Sequence, residues 1–378
     1  MRTVGVEEEL LLVDRESGEP RALSSAVLAR AARDTTENSG TEKQTEDYRE
    51  PEDEAFEKEL QSQQLEFATQ PRASMDSLAD EIVGWRGEAA RHAGDVGAAV
   101  AALATSPLPV SPSVNTGSRF QWMEEQFGLT TQEQLTCGCH VHVSVDSDEE
   151  GVAVIDRIRP WLPVLVALSA NSPFWQGNDS LYSSYRSRVW GRWPMAGPTE
   201  LFGSAARYEE QVSEMVATGV LRDRGMVYFD ARLSHRYPTI EIRVADVCLE
   251  SSTTVLVAAL ARGLVETAAR EWRAGRAPLA HGIGLLRLAA WRAARSGLDD
   301  TLLHPLTMRP VASAEVVQAL IDHVRDALED AGDLDLVRRT TADLLKNGNG
   351  ARVQRELLHR TGSLRSVVAE CVRLTHPS

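Results

Sequence analysis

Four short segments of the chain alternate apolar and polar residues with a period of two, which is the pattern of a half-buried β-strand. Longer segments between and after them carry apolar residues three and four positions apart, the spacing of an amphipathic helix. The predicted strands are Thr3 to Val13, Gln61 to Ala68, Cys139 to Val145 and Thr239 to Val247. The predicted helices are Met75 to Leu103, Gly151 to Ser169, Thr253 to Arg273, Gly284 to Arg295 and Ala314 to Ala331.

This order of elements predicts an α+β protein with a helical C-terminal third, because from Ser251 onward the pattern is nearly all helical. We expect one domain over residues 1–378, with a sheet-containing core over 1–273 and a helical part over 274–378. The segment from Thr41 to Lys58 is charged, has few aliphatic residues and contains Pro51, so it is predicted to be a solvated loop.

The alternation assigns one apolar and one ionisable face to each predicted strand, since residues i and i+2 of a strand share a face. In the first strand Glu7 and Glu9 share one face, and aliphatic residues form the other. Glu8 falls on the apolar face, where its charge requires a partner cation or a sheet edge. The fourth strand places Glu241 and Arg243 on one face, backed by residues that include Val244.

The segment "CGCHVHVSV" in the third strand places His140 and His142 on one face and Cys139 on the other. This separation argues against a local zinc site of cysteine and histidine. The spacing of the two histidines also occurs in cupins and amidohydrolases. A cupin would have a glutamate three or four residues beyond the second histidine, but this chain has no glutamate there and Asp146 is the last residue of that interval. An amidohydrolase would have a regular alternation of strands and helices, which this chain lacks.

The ionisable faces of the predicted strands could line one polar cavity, because burying such groups without partners is costly. Glu59 has the wrong parity to join Glu66 on a regular strand and would have to approach from a bend before it. A site rich in carboxylates suits Mg²⁺, or Mn²⁺ where an imidazole joins the ligands. The alternative is that these acidic faces are simply solvated. The candidate metal ligands are Glu7, Glu9, Glu59, Glu66, His140 and Glu241.

A second candidate feature is the segment from Ser183 to Pro194, which mixes arginines with aromatic residues. Arginine beside an aromatic ring suits recognition of a carboxylate, so Arg186 and Arg188 are candidate substrate-binding residues. The alternative is a surface loop whose tryptophans close the core.

Composition limits the partners. The chain has 40 basic and 55 acidic side chains and a net charge of −15, which disfavours nucleic acid and anionic membranes. The N-terminus lacks the apolar stretch of a signal peptide, and no later segment reaches the roughly 18 apolar residues of a membrane span, so a cytoplasmic location is expected. The four cysteines form no CxxC motif and are expected to be reduced, mostly buried thiols.

An ordered set of motifs resembles the bacterial carboxylate–amine ligase family known as glutamate–cysteine ligase type 2, within the glutamine synthetase-like superfamily. The resemblance extends from Thr3 to about Arg273, and "KNGNGARVQRE" near the C-terminus is also similar to that family. It implies a mainly antiparallel sheet curved into a funnel, with helices packed outside. The motifs are "GVEEELLLVD", "ELQSQQLEFAT", "CGCHVHVSV", "ALSANSPFWQG", "YSSYRSRVWGRWP" and "YPTIEIRVADVC".

The resemblance also implies roles for the candidate residues. It implies metal binding by Glu7, Glu9, Glu59, Glu66, His140 and Glu241. It places His142 near the nucleotide phosphates and Arg243 on the transferring phosphoryl group.

The implied activity is ATP-dependent ligation, in which a carboxylate, expected to be the γ-carboxylate of L-glutamate, is activated as an acyl phosphate and joined to an amine such as L-cysteine. Two alternatives remain, a ligase with another acceptor amine and a metal-dependent hydrolase that uses the same carboxylates and His140. A homodimer is suggested by the resemblance alone.

Overall fold

The computed structural model describes residues 1–38 and 56–376. Residues 41–55 of the predicted loop lie outside the described part. The strands are β1 Val4–Asp14, β2 Gln64–Ala68, β3 Ala98–Ala101, β4 Gly138–Ser144, β5 Phe174–Trp175, β6 Asn178–Asp179, β7 Ala231–Leu233, β8 Thr239–Asp246, β9 Thr301–Leu303 and β10 Pro310–Ala312. The predicted strands correspond to β1, β2, β4 and β8.

The main sheet of the described residues has six strands, in the order β2-β1-β4-β8-β7, with β3 paired to the far end of β1. Every pairing in this sheet is antiparallel. The predicted fold class, α+β with an antiparallel sheet and a helical C-terminal third, is therefore confirmed.

Helices connect and cover the sheet. They are α1 Ser24–Asn38, α2 Met75–Asp95, α3 Ser118–Phe127, α4 Leu129–Glu133, α5 Asp148–Ile158, α6 Leu162–Ser169, α7 Arg186–Trp190, α8 Ala205–Ala217, α9 Ser251–Arg273, α10 Ile283–Ser296, α11 Ser313–His323, α12 Arg325–Ala331, α13 Leu334–Asn347, α14 Gly350–Thr361 and α15 Leu364–Thr375. The helix α9 contacts β1 and β4 and is covered in turn by α2, α5, α12 and α13, so it forms the centre of the helical layer.

Three predicted helices differ from the structure in their ends or continuity. The helix predicted from Met75 ends at Asp95, and Gly97, with φ of 76°, leads into β3 instead of continuing the helix. Pro160 separates α5 from α6, because proline cannot donate the backbone hydrogen bond that a continuous helix needs. The helix predicted from Ala314 is divided at Val324 into α11 and α12, and a short hairpin of β9 and β10 interrupts the helical C-terminal part.

The apolar face of the sheet contains one ion pair. Glu8 is fully buried and accepts two hydrogen bonds from Arg86 of α2, from Nε and Nη2, each 2.8 Å long. Thr254 of α9 donates a third bond, 2.6 Å long, to the same carboxylate. The partner cation expected for Glu8 is therefore present, and the group joins β1 to two helices.

By length and composition α9 could cross a membrane, contrary to the expectation from the sequence that no segment would qualify. However, 83% of its most apolar stretch is buried inside the protein, which is the environment of a core helix. All four cysteines are free and buried, as expected.

One hydrophobic cluster extends from Val4 in β1 to Cys371 in α15 and includes Trp161 and Leu165. This continuity supports the single domain that we propose for residues 1–378. The glycine-rich segment near the C-terminus forms the turn between α13 and α14, where the Asn349 side chain caps α14.

Candidate active site

The polar face of the sheet brings the predicted site residues together in directly opposed pairs. Residues opposite each other in antiparallel strands have their side chains on the same face and in contact range. The pairs are Glu9 of β1 with Glu66 of β2, Glu7 of β1 with His140 of β4, and His142 of β4 with Glu241 of β8. The face assignment made from alternation is therefore confirmed for these strands.

Two groups of three residues on this face could each hold a metal ion. One is Glu7, His140 and Glu241, and the other is Glu9, Glu66 and His140. In each group the ligand atoms lie within 4.8 Å of one another. Glu59 belongs to neither group, although its charge acts on both Glu9 and Glu66.

His140 is common to both groups, and its surroundings suit a metal ligand. Its Nδ1 lies 3.1 Å from Oε2 of Glu7, which can fix the orientation of the ring. Its Nε2 is buried and has no hydrogen-bond partner in the described part of the chain. A buried nitrogen without a partner is costly, and coordination of a cation would satisfy it. The carboxylate oxygens and this nitrogen together fit Mg²⁺ or Mn²⁺.

The pKa values of the carboxyl groups in the cluster are shifted in opposite directions. Burial and the nearby Glu59 raise the pKa of Glu9 to about 8, and the same causes raise the pKa of Glu66 well above its usual value. Burial would also raise the pKa of Glu7 and of Glu241. However, two histidines hold the pKa of Glu7 well below its usual value, and two arginines do the same for Glu241. Part of the cluster therefore carries protons that a cation would displace.

We expect the metal-free protein to lose stability as the pH rises from about 6.5 to about 8.5. The pKa of Glu9 is raised from its usual 4.5 to about 8, so the folded state holds a proton that the unfolded chain has lost, and this stabilisation disappears as the pH passes the folded value. The pKa values of Glu66 and His142 are also raised, so these two groups likewise lower the stability as the pH rises. The pKa of His140 is lowered from its usual 6.5 to about 4, and this shift changes the stability only at pH values below about 6.5.

Thermal unfolding of chelator-treated protein, with and without Mg²⁺, measures this effect. Mg²⁺ should raise the melting temperature more at the upper end of the pH range, because fewer protons must be displaced there. A NaCl control at equal ionic strength excludes general screening. A melting temperature that does not respond to Mg²⁺ at any of these pH values would contradict a metal site in this cluster.

Arg243 lies beside this cluster, held by an acidic and an aromatic partner. It forms an ion pair with Glu241, and its guanidinium lies 5.6 Å from the ring centre of Trp190 and 5.9 Å from that of Tyr228. Its Nε is buried and has no partner among the described residues. The guanidinium is therefore held rigidly with a donor still available.

Glu241 has a second arginine partner that the sequence did not reveal. Arg232 of β7 donates to both of its carboxylate oxygens, at 2.7 and 3.1 Å. Residues Ala231–Leu233 form too short a strand to show a period of two, so no sequence pattern indicated it. The two arginines explain why Glu241 stays ionised although it is only 3% exposed.

His142 lies within the same network. Its Nδ1 is 3.0 Å from the hydroxyl of Thr239, and its Nε2 is 3.1 Å from Oε1 of Glu7. The predicted contact with nucleotide phosphate stays a prediction.

Arg186 and Arg188 line a cavity of about 360 Å³ together with Arg243 and Trp190. Arg186 is only 2% exposed, and its guanidinium packs against Gly138, where a Cβ atom would lie 2.2 Å from Nη2. Trp193 belongs to the hydrophobic core, as the alternative interpretation of this segment predicted. Binding of a substrate carboxylate by Arg186 and Arg188 stays a prediction.

Val244 also lines this cavity, although alternation assigned it to the apolar face. The cause is a register shift between β4 and β8, where two residues of β8 lie opposite one residue of β4. Such a bulge redirects side chains locally.

Structural comparison relates this fold to solved ligases. A glutamate–cysteine ligase from Francisella tularensis, in complex with AMP, matches with a TM-score of 0.68 and 12% identity, covering 99% of this chain and 88% of that chain. A bifunctional glutathione synthetase from Pasteurella multocida matches with the same TM-score and 14% identity, covering 99% of this chain and 52% of that chain. At these identities the likeness concerns the fold alone.

Sequence comparison is more specific. A relative from Streptomyces avermitilis, named "Putative glutamate--cysteine ligase 2-1", is 69% identical over 375 residues, and one from Streptomyces coelicolor, named "Putative glutamate--cysteine ligase 2", is 66% identical over 375 residues. Each alignment covers 99% of this chain and 99% of the relative. The family model described as "Glutamate-cysteine ligase family 2(GCS2)" matches residues 3–370. The chain therefore belongs to glutamate–cysteine ligase family 2.

Proposed function

We propose that this protein is an ATP-dependent carboxylate–amine ligase. Its carboxylate substrate is the γ-carboxylate of L-glutamate, its acceptor is L-cysteine or a related amine, and its products are a γ-glutamyl amide, ADP and phosphate. The observation that carries the proposal is the pair of three-residue carboxylate–histidine groups, joined at His140 and placed next to Arg243. Membership of the family and the names of its relatives support the substrates.

The residues that would hold Mg²⁺ or Mn²⁺ are Glu7, Glu9, Glu66, His140 and Glu241, whereas Glu59, the sixth predicted ligand, lies outside both groups. When bound, such ions would offset the negative charge of nucleotide phosphates and of the phosphoryl group. The cluster itself supports this part of the proposal, because several carboxylates on one sheet face repel one another unless protons or cations intervene.

Arg243 would act on the transferring phosphoryl group. In the proposed first step, an oxygen of the substrate carboxylate attacks the γ-phosphorus of ATP, the bond to the β-phosphate oxygen breaks, and ADP leaves. The free Nε donor of Arg243 and its rigid stacking suit a charge-assisted bond to an oxygen of the moving group. His142 would contact the nucleotide phosphates from the neighbouring strand.

In the second step the uncharged amine attacks the acyl carbon of the acyl phosphate. The carbon–oxygen bond to the phosphate breaks, inorganic phosphate leaves, and the amine proton passes to a base or to solvent. Arg186 and Arg188 would bind the carboxylate-bearing substrate in the adjoining cavity. Enclosure by Trp190 and Trp193 would limit hydrolysis of the acyl phosphate by water.

Purified protein with Mg²⁺ and ATP tests the proposal. Release of ADP and phosphate is followed with L-glutamate alone, then with L-cysteine, then with a panel of other amines, and mass spectrometry identifies the product. We expect ADP release that requires both glutamate and an amine, matched by a γ-glutamyl amide. Omission of Mg²⁺ should stop the reaction.

Two other results would change the assignment. Turnover of an amide in the absence of nucleotide would favour the metal-dependent hydrolase. No nucleotide turnover with any combination would contradict ligation of glutamate and direct the search to another carboxylate. The cytoplasmic location and the homodimer stay predictions.

A further inference from the structure

The cavity beside Arg243 has an unusual charge pattern. Its lining residues include five arginines, which are Arg186, Arg188, Arg192, Arg243 and Arg287. Among the described residues that line it, only one is acidic, Asp230. Its volume of about 360 Å³ lies within the range of roughly 300–1,000 Å³ that is typical of small-molecule sites.

Three buried donors in the lining have no partner. They are Nε of Arg186, Nε of Arg243 and Nε1 of Trp193, and no acceptor for them exists in the described part of the chain. Arg186 and Trp193 are each only 2% exposed. An unpaired buried donor costs about 1–3 kcal/mol, so this set of donors indicates a ligand with several oxygen acceptors.

Asp230 is fixed in position but its carboxylate is not used internally. Its backbone N–H donates to the carbonyl of Gly197 at 3.0 Å, and its carbonyl accepts from the backbone N–H of Arg243 at 2.9 Å. No hydrogen bond or ion pair of its carboxylate occurs within residues 1–38 and 56–376. Asp230 shares the lining of the cavity with Arg188 and Arg287. Burial raises the pKa of Asp230 to about 7, and the charges of these two arginines oppose the rise.

We propose that this cavity binds the head group of an α-amino acid, with the α-ammonium at Asp230 and the α-carboxylate at Arg188 and Arg287. A purely anionic ligand would satisfy the arginines but would oppose Asp230. A purely cationic ligand would be repelled by the five arginines. A zwitterionic head group satisfies both, and the unpaired donors of Arg186 and Arg243 then lie towards the side chain of the amino acid.

The inference rests on the proposed ligase function and adds which residues select the substrate. The head group could belong to the glutamate donor or to an amino-acid acceptor such as cysteine. The cavity adjoins Arg243, where the reacting carboxylate of the donor must lie, so the donor is the favoured occupant. Asp230 would then distinguish L-glutamate from carboxylic acids that lack the amine.

Substrate analogues separate the two contacts. Glutarate lacks the α-ammonium group of L-glutamate, and 4-aminobutyrate lacks its α-carboxylate. In wild-type protein we expect kcat/KM for L-glutamate to exceed that for either analogue by at least about 100-fold, the discrimination that buried polar contacts can supply. The Asp230→Asn variant should lose most of the preference over glutarate, chiefly through a higher KM for glutamate.

A second variant tests the carboxylate contact without disturbing the interior. Arg287 is exposed on α10, so Arg287→Gln should fold normally and should lose preference for L-glutamate over 4-aminobutyrate while keeping the preference over glutarate. Asp322→Asn on α11 is the matched control, because its carboxylate is exposed and pairs with Arg325 outside the cavity. It should change neither ratio.

The outcomes are distinguishable. If Asp230→Asn raises the KM of the acceptor amino acid and leaves that of glutamate unchanged, the head group belongs to the acceptor and the subsite stands. Unchanged preferences in both variants, together with an unchanged KM of the acceptor amino acid, would overturn the proposal.

A binding measurement separates this inference from the proposed function. Stabilisation of wild-type protein by L-glutamate but not by glutarate, lost in Asp230→Asn, would support the subsite even if no ligation occurred. Equal responses of wild-type protein to L-glutamate and glutarate, together with no stabilisation by L-cysteine that depends on Asp230, would overturn it.

Discussion

Replacing Glu241 with glutamine is expected to lower turnover by about 10²–10³-fold, the usual effect of removing one preorganised charged group from an active site. The amide keeps an oxygen that Arg232 can bond, so the side chain should stay in place. It loses the charge that one of the two candidate metal groups needs and that pairs with Arg243. The loss should appear in kcat and in the Mg²⁺ concentration needed for half-maximal activity.

Glu209→Gln is the matched control for this variant. Its carboxylate also pairs with an arginine, Arg224, but on the surface, where it is 54% exposed. Its activity should equal that of the wild type. A Glu241→Gln variant that is folded, as judged by circular dichroism and melting temperature, and that keeps near-normal activity would remove Glu241 from the metal site.

Replacing Glu8 with leucine is expected to destabilise the protein by about 3–5 kcal/mol, the cost of leaving one member of a buried ion pair without its partner. The side chains of Glu8 and Arg86 are 0% and 1% exposed, so water cannot replace the lost carboxylate. Arg86 would keep its bonds to the carbonyls of Cys248 and Leu249, at 2.7 and 3.0 Å, but its charge would be uncompensated. Urea unfolding measures the change through the midpoint.

Glu88→Leu provides the comparison on the same helix as Arg86. Glu88 is 49% exposed and pairs with Arg91, so its loss should cost no more than about 1 kcal/mol. The urea midpoint of Glu8→Gln should lie between those of the two leucine variants, since the amide oxygen still accepts hydrogen bonds from Arg86 and Thr254. Equal midpoints for Glu8→Leu and Glu88→Leu would show that the buried pair does not contribute to stability as proposed.

Several features of the site could be predicted because they depend on neighbouring residues alone. A strand alternates its side chains whatever it packs against, so the shared face of Glu7 and Glu9, and that of His140 and His142, followed from the sequence. The position of Glu8 on the opposite face followed from the same rule, including its need for a partner cation or a sheet edge. The family motifs then indicated which strands share one sheet.

Other features depend on contacts between residues far apart in the chain. The segment Ala98–Ala101 is compatible with a helix or a strand, and pairing with β1 made it a strand. Arg232 and Asp230 come from a stretch with no periodic pattern, and only the folding of β7 beside β8 brings them to Glu241 and to the cavity.

The sequence by itself determined the fold class, the polar face and the residues on it, because alternation and motif order are properties of the chain alone. The tertiary structure decided which of those residues meet, that Glu59 stands outside both metal groups, and that Arg86 is the partner of Glu8. It also placed Asp230 among five arginines. The physical reason is that the charge state and the free bonding capacity of a side chain depend on its neighbours in space, and these are set by sheet register and helix packing.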